Sequence, residues 1–188
     1  MKQGNIIVLN GVSSSGKSSL SKELLKKLKK YHHFSIDEYD KIIEVMEERG
    51  IENGRLIPVN TEFLFHDNIK MFSDYGVNLI VDQILFNDET MDDLLTKLHD
   101  YPILFVGVYC SEEELDRREL QRMDRPFGQG KGQLNYVHQQ SEVYDVTVNT
   151  ETESLEVCVE KIVFAVQNID NLYGIKETYN NWIEKKSM

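Results

Sequence analysis

One eight-residue stretch constrains this chain more than any other. Gly11-Val12-Ser13-Ser14-Ser15-Gly16-Lys17-Ser18 fits G-x-x-x-x-G-K-[ST]; the apolar run Ile6–Leu9 precedes it, and a segment of helical periodicity, Ser19–Lys30, follows. Strand, glycine-bounded loop and helix in that order form a cradle for a polyphosphate. Gly11 and Gly16 permit backbone angles that turn successive N–H groups inward. The helix N-terminus adds its positive dipole end. Residues Gly11, Val12, Ser13, Ser14, Ser15, Gly16, Lys17, Ser18 and Ser19 are therefore expected to hold a nucleoside triphosphate, read as ATP, with Mg²⁺. Lys17 would grip the β- and γ-phosphates through the reaction, and the Ser18 hydroxyl would ligate the metal. The plain alternative is a serine-rich turn before a helix.

The rest of the chain alternates in the same way. Strand-like runs at Asn5–Leu9, Phe34–Ile36, Leu79–Val81, Ile103–Tyr109 and Val143–Val148 are separated by helical stretches at Lys17–Lys30, Glu38–Arg49, Thr61–Tyr75, Met91–His99, Glu112–Arg122 and Ser154–Asn168. Alternation of this kind predicts an α/β fold, a parallel sheet with helices on both faces. No linker divides the 188 residues, of which 40% are hydrophobic, so residues 1–188 read as one domain around one core. Beyond Ile169, an extra C-terminal helix over 175–186 carries Ile175, Tyr179, Trp182 and Ile183 at i, i+4, i+7 and i+8. That stripe suits either docking on the core or a contact between copies, which leaves a homo-oligomer open.

Charge and composition narrow the partners. The net charge is −11, which opposes non-specific nucleic-acid binding but not a local basic cleft for a small anion. The longest apolar run, Ile103–Cys110, is far short of the ~20 residues of a membrane span, and only Ile6–Leu9 backs Lys2, so no membrane association and a cytoplasmic location are expected. Cys110 and Cys158 lack paired spacing and read as reduced core thiols, and the five histidines show no zinc pattern.

Phosphate-loop proteins include GTPases, motors and kinases. The base-reading N-K-x-D is absent and the length leaves little room for motor modules, so a compact kinase remains. Three further features suit that class. Asp37 closes the run Phe34-Ser35-Ile36; if its strand neighbours the loop strand, Asp37 lies near the γ-phosphate and can take the proton of an acceptor hydroxyl. It reads equally as the N-cap of the helix Glu38–Arg49; Asp40, one turn on, reads as solvated surface. Asp82 follows Leu79-Ile80-Val81 and suits a metal-holding acid, or else a strand-end turn residue. Arg117, Arg118, Arg122 and Arg125 cluster ahead of Pro126 and the hinge-like Phe127–Gly132, which predicts a mobile lid around 117–132. Arg122 and Arg125 suit the lid's work on the transferring phosphoryl group. Arg117 and Arg118 have the favourable i, i+4 order with Glu113 and Glu114.

Taken in order, Ile7-Val8-Leu9-Asn10-Gly11, Ser13–Ser18, Ser35-Ile36-Asp37, Leu79–Asp82, Val106–Cys110, Arg118-Glu119, Arg122-Met123-Asp124-Arg125 and Val143–Thr150 resemble the chloramphenicol 3-O-phosphotransferase family over most of residues 5–165. The resemblance implies a three-layer αβα P-loop kinase fold with a five-stranded parallel sheet. It implies ATP-dependent phosphorylation of a hydroxyl on a small molecule. The family's catalytic base falls on Asp37 and its lid arginines on Arg118, Arg122 and Arg125, with Arg118 and Arg122 also binding the nucleotide. Two departures set this chain apart: the stretch between Met46 and Phe63 is shorter, and Gln83 stands where the family has a second acid. The transferase chemistry therefore carries over better than the antibiotic. An acceptor pocket is expected around Phe63, Phe65, Phe72 and Phe86, although aromatics at helical spacing are more often core. A zeta-toxin-like kinase of a nucleotide sugar and a non-catalytic nucleotide-binding module are the competing readings.

Overall fold

The computed structural model describes residues 2–47, 56–121 and 128–187. Its centre is β1 (Ile6–Asn10), whose five residues are all buried. β1 lies between β3 (Asn78–Gln83) and β4 (Ile103–Tyr109); β2 (Tyr31–Ser35) and β5 (Val146–Asn149) form the edges, giving a parallel sheet of order β2-β3-β1-β4-β5. Strands with apolar residues at every position must bury both faces, and here the three central strands feed two cores. Ile6, Val8, Leu79, Val81, Ile103 and Phe105 point to one; Ile7, Leu9, Ile80, Leu104, Val106 and Val108 point to the other.

The second core is closed by α1 (Lys17–Lys27) and α7 (Leu155–Val166), which supply Leu20, Leu24, Cys158 and Ile162. The first is closed by α3 (Thr61–Asp74) and α4 (Asp88–Leu98), with Phe65, Ile69, Leu94 and Leu98. The C-terminal α8 (Gly174–Ser187) joins this face: Ile175 and Trp182 enter the core, the Trp182 indole donates to Asp92 Oδ1 at 2.8 Å, and Ile183 stays outside. Three elements complete the fold: α2 (Ile36–Glu47) after β2, α5 (Glu112–Gln121) after β4, and a short α6 (Gln129–Gln133). Among the described residues no helix is long and apolar enough to cross a membrane. Both cysteines are free thiols, Cys158 buried and Cys110 half-buried.

Several boundaries differ from the sequence expectation, and three are instructive. β2 begins at Tyr31 and ends at Ser35, and Ile36 already belongs to α2. α4 starts at Asp88 because Asn87 caps it, accepting from the Thr90 N–H at 2.8 Å. β5 begins only at Val146: the Val143 N–H goes to Thr178 Oγ1, and the Asp145 carboxylate accepts from the N–H groups of Phe105, Tyr173 and Gly174. Side chains and the start of α8 thus take backbone groups that a longer strand would pair.

Candidate active site

β1 ends at Asn10 and the chain turns at once into the phosphate loop. A Cβ on Gly11 would lie 2.5 Å from the Val108 carbonyl oxygen, so only glycine lets the loop leave the sheet this tightly. Ser14 and Gly16 adopt left-handed angles, φ 63° and 98°. The Ser14 and Ser15 hydroxyls are buried and have no hydrogen-bond partner among the described residues. Buried hydroxyls rarely stay unpaired, and two of them in a glycine-bounded loop at a helix N-terminus fit a polyphosphate ligand.

Lys17 does not point into open solvent. Its side chain folds back over the loop, buried, and Nζ donates to the carbonyls of Gly11 (2.9 Å) and Val12 (3.0 Å) with Asp82 at 3.9 Å. Asp82 lies inside β3 rather than at a turn after it, and accepts from the Ser18 hydroxyl at 2.8 Å. A hydroxyl and a carboxylate so joined beside a phosphate cradle suit Mg²⁺, which takes one or two protein oxygens and fills its octahedron with phosphate oxygens and water. Ser19 is exposed on the first turn of α1.

Asp37 sits in the first turn of α2, so it is not the N-cap that the sequence allowed. Nor does β2 neighbour β1, because β3 lies between them. Asp37 still reaches the site, since Ser35 pairs with Asp82 and Asp82 with Leu9, which levels the three strand ends. It lines a narrow cavity with Lys17, Ser18 and Asp82. It also lines a larger neighbouring cavity of about 600 Å³ with Ile84, Phe86 and Gln133. Asp40 lines that larger cavity too, rather than lying on open surface.

Of the four expected pocket aromatics, only Phe86 lines the cavity. Phe65 is fully buried and stacks on Phe34, with ring centres 4.4 Å apart. Phe72 packs edge-on against Phe34, and the Phe63 ring lies under the Lys97 ammonium. The helical spacing of Phe65 and Phe72 served the core.

The arginine segment divides. Arg118 donates to the Ser14 carbonyl and to both oxygens of Thr150, and with Thr150 and Leu155 it lines a third cavity of about 450 Å³ on the other side of the loop. Arg117 pairs with Glu114, not Glu113, because Glu114 lies within reach of both arginines; the two hold its carboxyl down at about 2. Arg122 and Arg125 lie outside the described residues, as does the centre of the expected lid. Its glycine-rich end is no open hinge. The buried Glu119 carboxylate accepts from the N–H groups of Gly128 (2.7 Å) and Gly130 (2.8 Å), holding the start of α6 where Gly128 offers no side-chain cap. From α6, Gln133 Oε1 accepts from the Ser13 N–H of the phosphate loop at 2.7 Å.

Several of these residues carried no local signal. Thr150, Glu119 and Tyr144 stood inside stretches that resembled a family; Gln133 and His138 did not. Beneath the loop, Asn10 donates to the Tyr144 hydroxyl, which lies 2.8 Å from His138 Nδ1. Burial lowers the His138 pKa to about 4; the Val108 carbonyl opposes this and the Lys17 charge adds to it.

A five-stranded parallel sheet in this order, a phosphate loop off its central strand and an acid between two cavities define the P-loop kinase class. The family model for chloramphenicol phosphotransferase-like proteins matches residues 4–167, and the chain belongs to that family; it is a small-molecule phosphotransferase. Two Mycobacterium tuberculosis proteins provisionally named O-phosphotransferases are 30% identical to it, over 80% of this chain and 76% of theirs. Among solved structures, the Deinococcus radiodurans tunicamycin resistance protein is similar at TM-score 0.65 and 18% identity, covering 87% of this chain and 96% of that one. A gluconokinase from Sinorhizobium meliloti is similar at TM-score 0.62 and 20% identity, covering 92% and 97%. These structures share the fold.

Proposed function

We propose that this chain transfers the γ-phosphoryl group of ATP to a hydroxyl of a small molecule, in the cytoplasm where ATP is plentiful, and that the acceptor enters the cavity bounded by Asp37, Ile84 and Phe86. What supports the reading above all is that Asp37 lines both that cavity and the narrow one holding Lys17, Ser18 and Asp82. A carboxylate at the junction of donor and acceptor is where a general base must stand.

In this reading the N–H groups of the Gly11–Ser19 loop hold the phosphates, and Lys17 neutralises charge on the β- and γ-phosphates as it builds. Ser18 and Asp82 hold Mg²⁺, which when bound neutralises charge on the phosphates. Arg118 and Thr150 flank the nucleoside end. Arg122 and Arg125 act as lid arginines on the transferring group. The acceptor oxygen attacks the γ-phosphorus as its proton passes to Asp37; the bond from that phosphorus to the bridging oxygen breaks, and ADP leaves.

The test is ADP release from MgATP in the presence of hydroxylated antibiotics, nucleosides and sugars, with mass spectrometry of the compounds. One class should accelerate ADP release and gain a phosphoryl group. If no hydroxyl compound raises ADP release above the acceptor-free rate, the reading is wrong.

A further inference from the structure

Away from the phosphate loop, a buried polar chain runs from α4 through α3 to the end of β3. His66 on α3 is fully buried. Its Nδ1 lies 2.7 Å from Asp93 Oδ2, and Asp93 also takes Lys97 at 3.0 Å. Its Nε2 lies 2.7 Å from the amide nitrogen of Gln83 and 3.1 Å from that amide's oxygen. Gln83 directly follows Asp82 in β3, is itself 1% exposed, and lines the narrow cavity with Lys17, Ser18 and Asp37.

The chemistry of the partners sets the direction of the Asp93 bond and, for a neutral ring, that of the Gln83 bond. A carboxylate only accepts, so the His66 proton sits on Nδ1 and goes to Asp93. In the neutral ring Nε2 then has a lone pair and no hydrogen, and accepts from the Gln83 amide N–H, its nearer neighbour. In that tautomer the Gln83 carbonyl oxygen, 3.1 Å from Nε2, receives nothing from the ring, and among the described residues no other hydrogen bond reaches it. A buried amide oxygen without a donor costs free energy unless a ligand supplies one.

We propose that His66, held by Asp93, is a positioning residue that turns the Gln83 amide so that its oxygen accepts from an O–H donor in the phosphate cavity. This rests on the phosphotransferase reading and extends it. The donor is either a water on the metal or the reacting hydroxyl. Without His66 the amide can flip and offer N–H groups where an acceptor is needed.

Two variants separate this role from simple core filling. In His66→Gln the side-chain oxygen can take the place of Nε2 and still accept from Gln83. In His66→Asn the shorter amide can serve Asp93 but not Gln83. With MgATP alone and water as the acceptor, His66→Asn should turn over ATP about tenfold more slowly, the order of one oriented hydrogen bond, and His66→Gln should recover most of it. Gln83→Met should match His66→Asn. A raised Mg²⁺ half-saturation in His66→Asn identifies the donor as metal-bound water; an unchanged one, with a lower maximal rate, identifies the reacting hydroxyl.

Nitrogen-15 NMR of the unmodified protein gives a readout independent of turnover: His66 should carry its proton on Nδ1, and MgATP should shift the Gln83 amide signals. A proton on Nε2, or equal turnover in His66→Asn and wild type, overturns the inference. So does a His66→Gln variant as impaired as His66→Asn. A wild type that shows the Nδ1 tautomer and the Gln83 shift but no ADP release with any hydroxyl acceptor would keep the inference about Gln83 and retract the phosphotransferase reading alone.

Discussion

The two sides of the cleft are built differently. On the proposed nucleotide side, Ser13, Ser15 and Lys17 of a single loop are buried together with Asp82 of β3. On the proposed acceptor side, the cavity is shared by α2, α3, the segment after β3 and α6. The neighbouring surface there is apolar and open: Ile42, Val45 and Met46 are all more than half exposed. A phosphate has fixed geometry and charge, so a few N–H donors at one helix terminus suffice for any nucleotide. An acceptor has to be recognised by side chains at its own shape, which needs contributions from distant parts of the chain.

The largest effect that would sharpen this contrast belongs to Asp37, which touches both sides. Asp37→Asn keeps the size and stays compatible with the first turn of α2. It should lower phosphoryl transfer by roughly 10²–10⁴-fold, the usual worth of a general base, while ATP affinity and melting temperature hold. Full turnover at ordinary Mg²⁺ would remove Asp37 from the chemistry. Excess Mg²⁺ that restored activity would move it to the metal. Next comes Lys17→Ala, which acts on the nucleotide side alone. Turnover should fall at least ~10²-fold, as when a preorganised charge is lost from a transition state. Because the Gly11 and Val12 carbonyls lose their shared donor, stability should also drop, by about 1–3 kcal/mol. Thermal melting and steady-state ADP release read both quantities.

The same contrast explains what could be read from the sequence. The phosphate loop, the parallel sheet and the buried strand residues were legible because each is a local pattern with a local physical cause. Asp82 was legible as an acid after an apolar run, though not its place inside β3. Phe65 and Phe72 misled, because an aromatic at helical spacing looks the same whether it faces a cavity or a core. Gln133, His66 and His138 were not legible. Their roles come from partners between 6 and 120 residues away, Tyr144, Gln83, Asp93 and Ser13, and apart from His138 and Tyr144 no short window of sequence contains both members of such a pair. The lid arginines Arg122 and Arg125 rest on the resemblance, since residues 122–127 lie outside the described structure.

A smaller effect tests the support under the nucleotide side. His138 has a pKa of about 4 in the folded protein, against about 6.5 when unfolded. Between those values the unfolded chain binds more protons, so stability rises with pH. The contribution is fully present above pH 6.5 and is lost as pH falls towards 4. Its full size is on the order of 3 kcal/mol. His138→Asn removes the titration and tolerates the left-handed backbone, φ 69°, better than most residues would. The stability gap between wild type and this variant should therefore narrow as pH drops from 6.5 to 4. A gap independent of pH would mean that the ring is not held neutral by burial.

The smallest expected effect separates two neighbours on α5. Arg117 and Arg118 share the Glu114 carboxylate, yet only Arg118 continues to the Ser14 carbonyl and to Thr150. Arg118→Ala should therefore weaken ATP binding, raising the KM for ATP about tenfold through lost charge-assisted hydrogen bonds at the loop rim. Arg117 lies largely in solvent, and an exposed ion pair offsets little of the entropy of holding two long side chains together. Arg117→Ala should leave the KM for ATP, the maximal rate and the melting temperature indistinguishable from wild type. Its removal even frees Glu114 to pair with Arg118 alone, which keeps the useful guanidinium in place. If Arg117→Ala instead raised the KM for ATP as much as Arg118→Ala, the pair would act as one cationic patch on the nucleotide, and the division of labour within α5 would be wrong.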